Sequence, residues 1–419
     1  MMLNDRRTQL RVWLLVAGAA TGYLIGCQGS DSKSESPTAT VLTVENPPER
    51  STVRLGPALG AEPLRQFPEL ELSGVRSIRL LHGGRLVLSN NGSSQLIFLD
   101  IQTRKAKPVG RSGYGPGEFQ SIPLLARCAG DTVVVYSTIQ RLSFFDADGG
   151  FVRVRDAPGF RRGVDGVSAD CSSVVIHGLE RRAAIGKVKT DLVTFSWHDA
   201  SGDSVRTIGS IPGPETGQAL FHGREAFLPL PFGNLPSMAV FGDMVYLASG
   251  DLTEVKIYDR TRGLVRIVRW TAKAPTLTSA DRARHDSIRV QLDTRFGQGT
   301  SEDFPASEVF DLPSTKPYLS RILVDDRGFM WVQRYPQVWE GFERIFGVDF
   351  GTADSEWWLF DPSGNLQGVT TMPRGLGIRD IADSLVAGVA RDQNDVERVV
   401  VYRLSDTVLR LRAEGRGKS

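Results

Sequence analysis

Residues 83–110, GGRLVLSNNGSSQLIFLDIQTRKAKPVG, read as strand, polar turn, strand ending in Asp100, polar turn, strand. Each apolar run is short, and Gly, Asn and Asp stand where the chain must reverse. A further strand at Val75–Leu80 and the turn His82-Gly83-Gly84 lead into it. The same order then returns along the chain. A second copy runs through Leu124–Cys128, Thr132–Tyr136, Arg141–Asp146 and Phe151–Arg155, and a third through Gly166–Cys171, Ser173–His177, Val193–His198 and Ser204–Ile208. The fourth copy is Ser237–Phe241, Met244–Ala248, Glu254–Asp259 and Gly263–Trp270. The fifth is Tyr318–Val324, Phe329–Gln333, Glu356–Asp361 and Leu366–Thr370. The sixth is Gly377–Ala382, Ser384–Ala390 and Val399–Leu404, with Thr407–Arg412 as its candidate last strand.

A repeat of roughly forty to fifty residues marks an array of small units, none of which buries both faces alone. The expected fold is all-β, a six-bladed β-propeller of four-stranded antiparallel blades over residues 51–412. A β-sandwich would explain the strands but not their recurrence. The stretch 51–72, including Thr52-Val53-Arg54-Leu55, is expected to supply a strand closing the ring against the last blade, and 413–419 a C-terminal tail.

Composition agrees with a folded, turn-rich chain: 41% hydrophobic, 23% charged, 44 Gly and 22 Pro. The formal charge of +2 is accounted for by Arg6, Arg7 and Arg11 against Asp5, so the rest is formally neutral. No basic field speaks for nucleic acid.

The first residues form a basic segment followed by the apolar run VWLLVAGAATGYLIG, too short for a spanning helix. Its end, Leu24-Ile25-Gly26-Cys27, resembles a bacterial lipobox. That resemblance implies a signal peptide over 1–26, a diacylglycerol thioether on Cys27, and acyl chains, palmitate-like, that tether the protein to the membrane. Gln28 in place of Asp favours the outer membrane of the cell envelope. Residues 27–50, Ser/Thr/Pro/Glu-rich, read as the lipidated cysteine and a flexible tether.

The connector Gly110-Arg111-Ser112-Gly113-Tyr114-Gly115-Pro116-Gly117-Glu118-Phe119 is the most distinctive string. A phosphate-cradling loop feeds a helix directly, whereas Pro116 interrupts this one and a β pattern resumes near Ile122. The string resembles the connector of NHL-like six-bladed propellers, in particular a bacterial lipoprotein group. The resemblance implies positive-φ glycines in a blade crossover, Phe119 buried between blades and Glu118 bonding nearby backbone. A second connector, Ile208–Glu215, keeps the pattern only in part.

Cys128 and Cys171 end the first strands of successive copies and are candidates for a disulfide, with free thiols as the alternative. The D-x-x-G strings at Asp146, Asp325 and Asp361 read as hairpin turns; none has the ligand density of a calcium loop. No zinc spacing and no Gly-x-Ser-x-Gly elbow occurs, so no metal or cofactor is expected, and the sequence assigns no catalytic residue. Some six-bladed propellers are calcium-dependent lactonases or esterases, which makes calcium the cofactor of the alternative reading. Two insertions depart from the repeat. Residues 210–234 read as a Gly/Pro-rich loop, with His222, Arg224, Glu225 and Phe232 as candidates for binding a peptide or glycan. Residues 271–316 carry a helix capped by Ser279 with Ile288 and Leu292 on one face. Trp331, Tyr335, Trp339, Trp357 and Trp358 read as packing residues. The favoured function is a membrane-tethered, extracytoplasmic binding module for a ligand or an envelope protein, without covalent chemistry. The alternatives are a metal-dependent hydrolase and a structural envelope protein.

Overall fold

Short apolar runs joined by tight polar turns pair with their sequence neighbours, so each repeat closes on itself as a meander. The computed structural model describes residues 40–157, 163–199, 201–221, 224–296, 310–336, 354–391 and 396–415, with backbone only at 219–221, 224–226, 228 and 288–296. Three leading strands come first: β1 (Leu42–Asn46), β2 (Arg54–Pro57) and β3 (Arg65–Gln66). The first sheet follows as β4 (Ile78–Leu81), β5 (Arg85–Asn90), β6 (Gln95–Asp100) and β7 (Ala106–Val109). The second is β8 (Leu124–Arg127), β9 (Val133–Ser137), β10 (Arg141–Phe145) and β11 (Phe151–Asp156). The third is β12 (Gly166–Val167), β13 (Val174–Glu180), β14 (Val188–His198), β15 (Ser204–Phe221) and β16 (Arg224–Pro229). The fourth is β17 (Pro236–Phe241), β18 (Met244–Ser249), β19 (Glu254–Asp259) and β20 (Gly263–Trp270). The helix α1 (Ser279–Phe296) precedes the fifth, β21 (Leu319–Val324), β22 (Met330–Arg334), β23 (Ser355–Phe360) and β24 (Leu366–Met372). The sixth holds β25 (Gly377–Ala382), β26 (Leu385–Arg391) and β27 (Glu397–Arg403), and α2 (Asp406–Glu414) ends the described chain.

The two-residue period of each strand sends alternate side chains to opposite neighbours. In β9, Val133 and Val135 pack with Phe98 and Leu125, while Val134 and Tyr136 pack with Val167 and Val174. In β23, Trp357 and Leu359 join Ile378 and Val400, while Trp358 and Phe360 join Tyr246 and Ile257. Val175 and Trp197 of the third sheet meet Val245 and Leu247 of the fourth, and Leu86 and Leu88 of the first meet Val389 and Val401 of the sixth. Successive sheets thus share apolar seams, and the last meets the first. This is a β-propeller. Its largest fully buried side chains include Trp331, Trp357 and Trp358. Tyr335 is also buried, and Trp339 lies outside the described residues.

The leading segment laces three neighbouring sheets. β1 adds parallel to β20, β2 adds parallel to β24, and β3 completes the sixth sheet antiparallel to β27. The closing strand therefore does fall within 51–72, but it is Arg65–Gln66, whereas Arg54–Pro57 serves the fifth sheet. The tether read up to residue 50 ends earlier, because Leu42–Asn46 is a strand. Asn46, buried at its end, donates to Arg269 O and Gly364 O and accepts from the Leu366 amide.

Three further expectations are corrected. Residues 210–221 extend β15, which hairpins into β16 instead of looping; the prolines at 212 and 214 sit beside a register shift between Thr190 and Leu192. Buried Asn234 ties this excursion down, donating to Pro212 O and Gly213 O and accepting from Ser249 Oγ. The cap of α1 is Thr278, not Ser279. Thr278 and Asp281 bond reciprocally, Asp281 N to Thr278 Oγ1 and Thr278 N to Asp281 Oδ2. The side chains of Ile288 and Leu292 lie outside the described part. Finally, 407–412 is helical and the helix runs on to Glu414, into the expected tail. β3 already occupies the edge of β27, and Ser405 before a run of good helix formers starts a helix.

The connector behaves as its residues demand. Gly110 has φ +89°, and a Cβ there would stand 2.5 Å from the Phe119 ring. Phe119 is fully buried between the first and second sheets. Glu118 accepts from Gly115 N and from Arg111, each at 2.7 Å.

Candidate functional site: the axial cavity

The first strand of each sheet has a hydrogen-bonded neighbour on one side only. N–H groups in it, or in the turn just after it, need partners elsewhere, and a neighbouring sheet supplies them. Leu80 N donates to Asp380 Oδ2 at 2.8 Å, His82 N to Asp131 Oδ2 at 2.9 Å, and Ala129 N to Ala169 O at 2.9 Å. Ala169 N donates to Asp243 Oδ1 at 3.3 Å, Ile322 N to Ser237 Oγ at 2.9 Å, and Asp383 N to Asp326 Oδ2 at 2.8 Å. Each seam between sheets carries at least one such bond.

These inner strands enclose a cavity of about 380 Å³ lined from all six sheets. Charge is unevenly placed around it. Arg379, Arg79 and Arg127 stand on three consecutive inner strands, β25, β4 and β8, while Met238, Val240 and Ile322 line it from β17 and β21. Arg79 Nη1 donates to Ile78 O at 2.9 Å and to Arg379 O at 3.2 Å. Arg127 Nη1 donates to Leu80 O at 2.9 Å, and Arg379 Nη1 to Ile378 O at 3.3 Å.

The carboxylates here have protein partners. Asp165 meets His177 Nδ1 at 2.8 Å. Asp380 takes the Leu80 amide and lies 4.0 Å from Arg79; burial pushes its carboxyl up against both. Asp325 and Asp326 meet fully buried Arg412 of α2 at 3.0 and 2.6 Å. Asp325 also accepts from Trp331 Nε1. Among the described residues, no three His, Cys, Asp or Glu side chains are grouped to hold a metal ion.

A disulfide joins Cys128, which lines the cavity, to Cys171 across the seam of the second and third sheets, with Cα atoms 5.7 Å apart. The hairpin aspartates serve their own turns: Asp100 accepts from Gln102 N and Thr103 N, Asp146 from Asp148 N and Gly150 N, Asp361 from Ser363 N and Asn365 N.

Of the loop candidates, Phe232 has a described side chain. His222 lies outside the described residues. Arg224 and Glu225 sit in β16 opposite Phe221 and Leu220, and their side chains are outside the described part. Phe232 is 1% exposed and packs 5.5 Å from the His285 ring of α1, an interior position. Phe232 does not line the cavity. Sequence reading passed over Arg79, Arg127 and Arg379. Their signal was a charge inside an apolar first strand, as in Ile78-Arg79-Leu80 and Ile378-Arg379-Asp380-Ile381.

No protein-family model matches the sequence, and no curated protein matches it significantly. The NHL-like resemblance therefore rests on the Gly110–Phe119 connector. Among solved structures, a member of the DUF4221 family from Bacteroides vulgatus is 11% identical, with 83% of this chain and 95% of that one covered and a TM-score of 0.45. The calcium-binding protein regucalcin from Agrobacterium tumefaciens is 10% identical over 87% of this chain and 97% of its own, with a TM-score of 0.33. Likenesses this distant carry no argument, and the fold rests on the sheets and the seams between them. Among the described residues no helix is long and apolar enough to cross a membrane.

Proposed function

We propose that this chain is a membrane-tethered, extracytoplasmic six-bladed β-propeller that binds a ligand or protein partner at its axial cavity without covalent chemistry. The observation that carries this reading is the cavity itself, with six inner strands converging on it and its arginines gathered on three of them. The Cys128–Cys171 disulfide supports an oxidising compartment. The lipobox resemblance at Leu24–Cys27 supports the anchor, Gln28 supports outer-membrane delivery, and the Gly110–Phe119 connector supports kinship with NHL-like lipoproteins.

The test pairs metal analysis of protein lacking residues 1–27 with a lactone and ester hydrolysis screen, and with binding screens against envelope proteins, peptides and glycans. Saturable binding without turnover is expected. Stoichiometric calcium together with hydrolysis would overturn the reading in favour of a metal-dependent lactonase or esterase. For the anchor, Cys27→Ser is expected to abolish acyl labelling, and unchanged labelling would remove the lipoprotein assignment.

A further inference from the structure

We infer that the axial cavity takes a small amphipathic anion, its carboxylate or phosphate held by Arg79, Arg127 and Arg379 and its apolar body against Met238, Val240 and Ile322. This rests on the reading of the cavity as the ligand site and adds the chemical class.

The argument is one of donors and acceptors. Each of the three guanidinium groups is fixed through Nη1 to a backbone carbonyl, Arg79 to Ile78 O, Arg127 to Leu80 O and Arg379 to Ile378 O. A fork held this way loses little freedom when it meets an oxyanion. Among the described residues, no hydrogen-bond partner meets Nε or Nη2 of Arg79 or Arg127. At 4.0 Å the Arg79–Asp380 contact is an ion pair without a direct hydrogen bond, and Arg127 stands 3.6 Å from Asp131 in the same way. The carboxylates already have donors: Asp380 has the Leu80 amide, Asp131 the His82 amide, Asp165 the His177 ring, and Asp325 and Asp326 the Arg412 guanidinium. The cavity therefore offers spare donors and few spare acceptors, which a cation could not use and an oxyanion can. The arginines lie on β25, β4 and β8, the lining carboxylates Asp165, Asp325, Asp326 and Asp380 are already engaged by protein donors, and β17 and β21 present apolar side chains, so the complementary molecule has an anionic head and an apolar body. A cavity of about 380 Å³ suits a molecule of that size.

The probe is phenyl phosphate, titrated calorimetrically into the full chain in mild detergent, with benzoate, inorganic phosphate, benzyl alcohol and calcium as comparisons. Phenyl phosphate or benzoate is expected to bind at least about tenfold more tightly than inorganic phosphate or benzyl alcohol. Arg79→Met and Arg127→Met are each expected to weaken that binding by about tenfold or more, with partial rescue by Arg79→Lys. Arg262→Met, on an outer turn, is expected to leave it unchanged. Melting temperatures of the variants confirm that they are folded. No binding of either aromatic anion at millimolar concentration, or equal binding by the Arg79→Met/Arg127→Met double variant, would overturn the inference. Binding of an uncharged glycan or a peptide that Ala239→Phe blocks would leave the cavity as the ligand site while removing the anion. Binding indifferent to Ala239→Phe would remove the site itself.

Discussion

Aspartate does two different jobs in this molecule, one at the outer turns and one at the inner seams. At the outer turns Asp100, Asp146 and Asp361 accept amides two to four residues ahead, within a single hairpin. At the inner seams Asp131, Asp243, Asp326 and Asp380 accept amides from a neighbouring sheet, the last across 300 positions of sequence. The outer set shapes strands into blades, and the inner set joins blades around the cavity. Residue type alone does not separate the two, but connectivity does.

The sharpest break falls where a seam is held by buried charge. Arg412→Met leaves Asp325 and Asp326 facing each other without their cation, and the expected loss is about 3–5 kcal/mol by chemical denaturation. If the loss stayed under about 1 kcal/mol, α2 would be ornamental to the fifth and sixth sheets. The seam of the second and third sheets is held covalently instead. Replacing Cys128 and Cys171 by Ser opens a loop with a sequence separation of 43, and the entropy of a closure that size predicts a loss of about 4 kcal/mol. A reducing agent is expected to lower the melting temperature of the wild type and not of that variant.

Smaller effects separate inner from outer aspartate. Asp131→Ala strips the acceptor from the His82 amide and ring and is expected to cost about 1–3 kcal/mol. Asp100→Ala, at an exposed turn, is expected to alter stability far less. Unequal effects support the two roles, and equal ones dissolve the comparison.

The finest distinction lies in pH. Asp170 at an inner turn is held well below the usual carboxylate range by the Ser168 hydroxyl, the Ser172 amide and Arg260. Its contribution to stability is present above the unfolded pKa and is lost as pH falls below it. Asp380 in the cavity wall is pushed the other way by burial. Its protonated form favours the fold, so stability drains as pH rises from the unfolded value, about 3.9, through the raised one. Asp170→Asn is expected to flatten the acid limb of the stability profile, and Asp380→Asn the opposite limb. Like-signed changes would contradict the assignment.

The blades were largely legible in the sequence because their instructions are local. Strands β17 to β20 fall within a residue or so of the segments expected from apolar runs and Asp/Gly turns. The excursion of β15 was hidden because the prolines at 212 and 214 read as a loop, and the bulge at 213–214 that accommodates them shows only once β15 is paired with β14. The cavity was hidden for a different reason. Arg79 and Arg379 are separate charges in separate strands until the sixth sheet meets the first, and only then does one donate to the other's carbonyl. The candidates His222, Arg224, Glu225 and Phe232 cluster in sequence, yet Phe232 is interior packing.

The central claim is that the sixth sheet closes on the first around the cavity, and the Leu80 amide reports it directly. Its N–H points away from β5 to the carboxylate of Asp380, 300 residues on. Site-resolved hydrogen exchange is expected to show this amide protected in the wild type and exchanging at least about tenfold faster in Asp380→Ala, while amides bonded within β5 and β6 keep their rates. An unprotected Leu80 amide, or one indifferent to Asp380→Ala, would contradict the closed ring and with it the cavity.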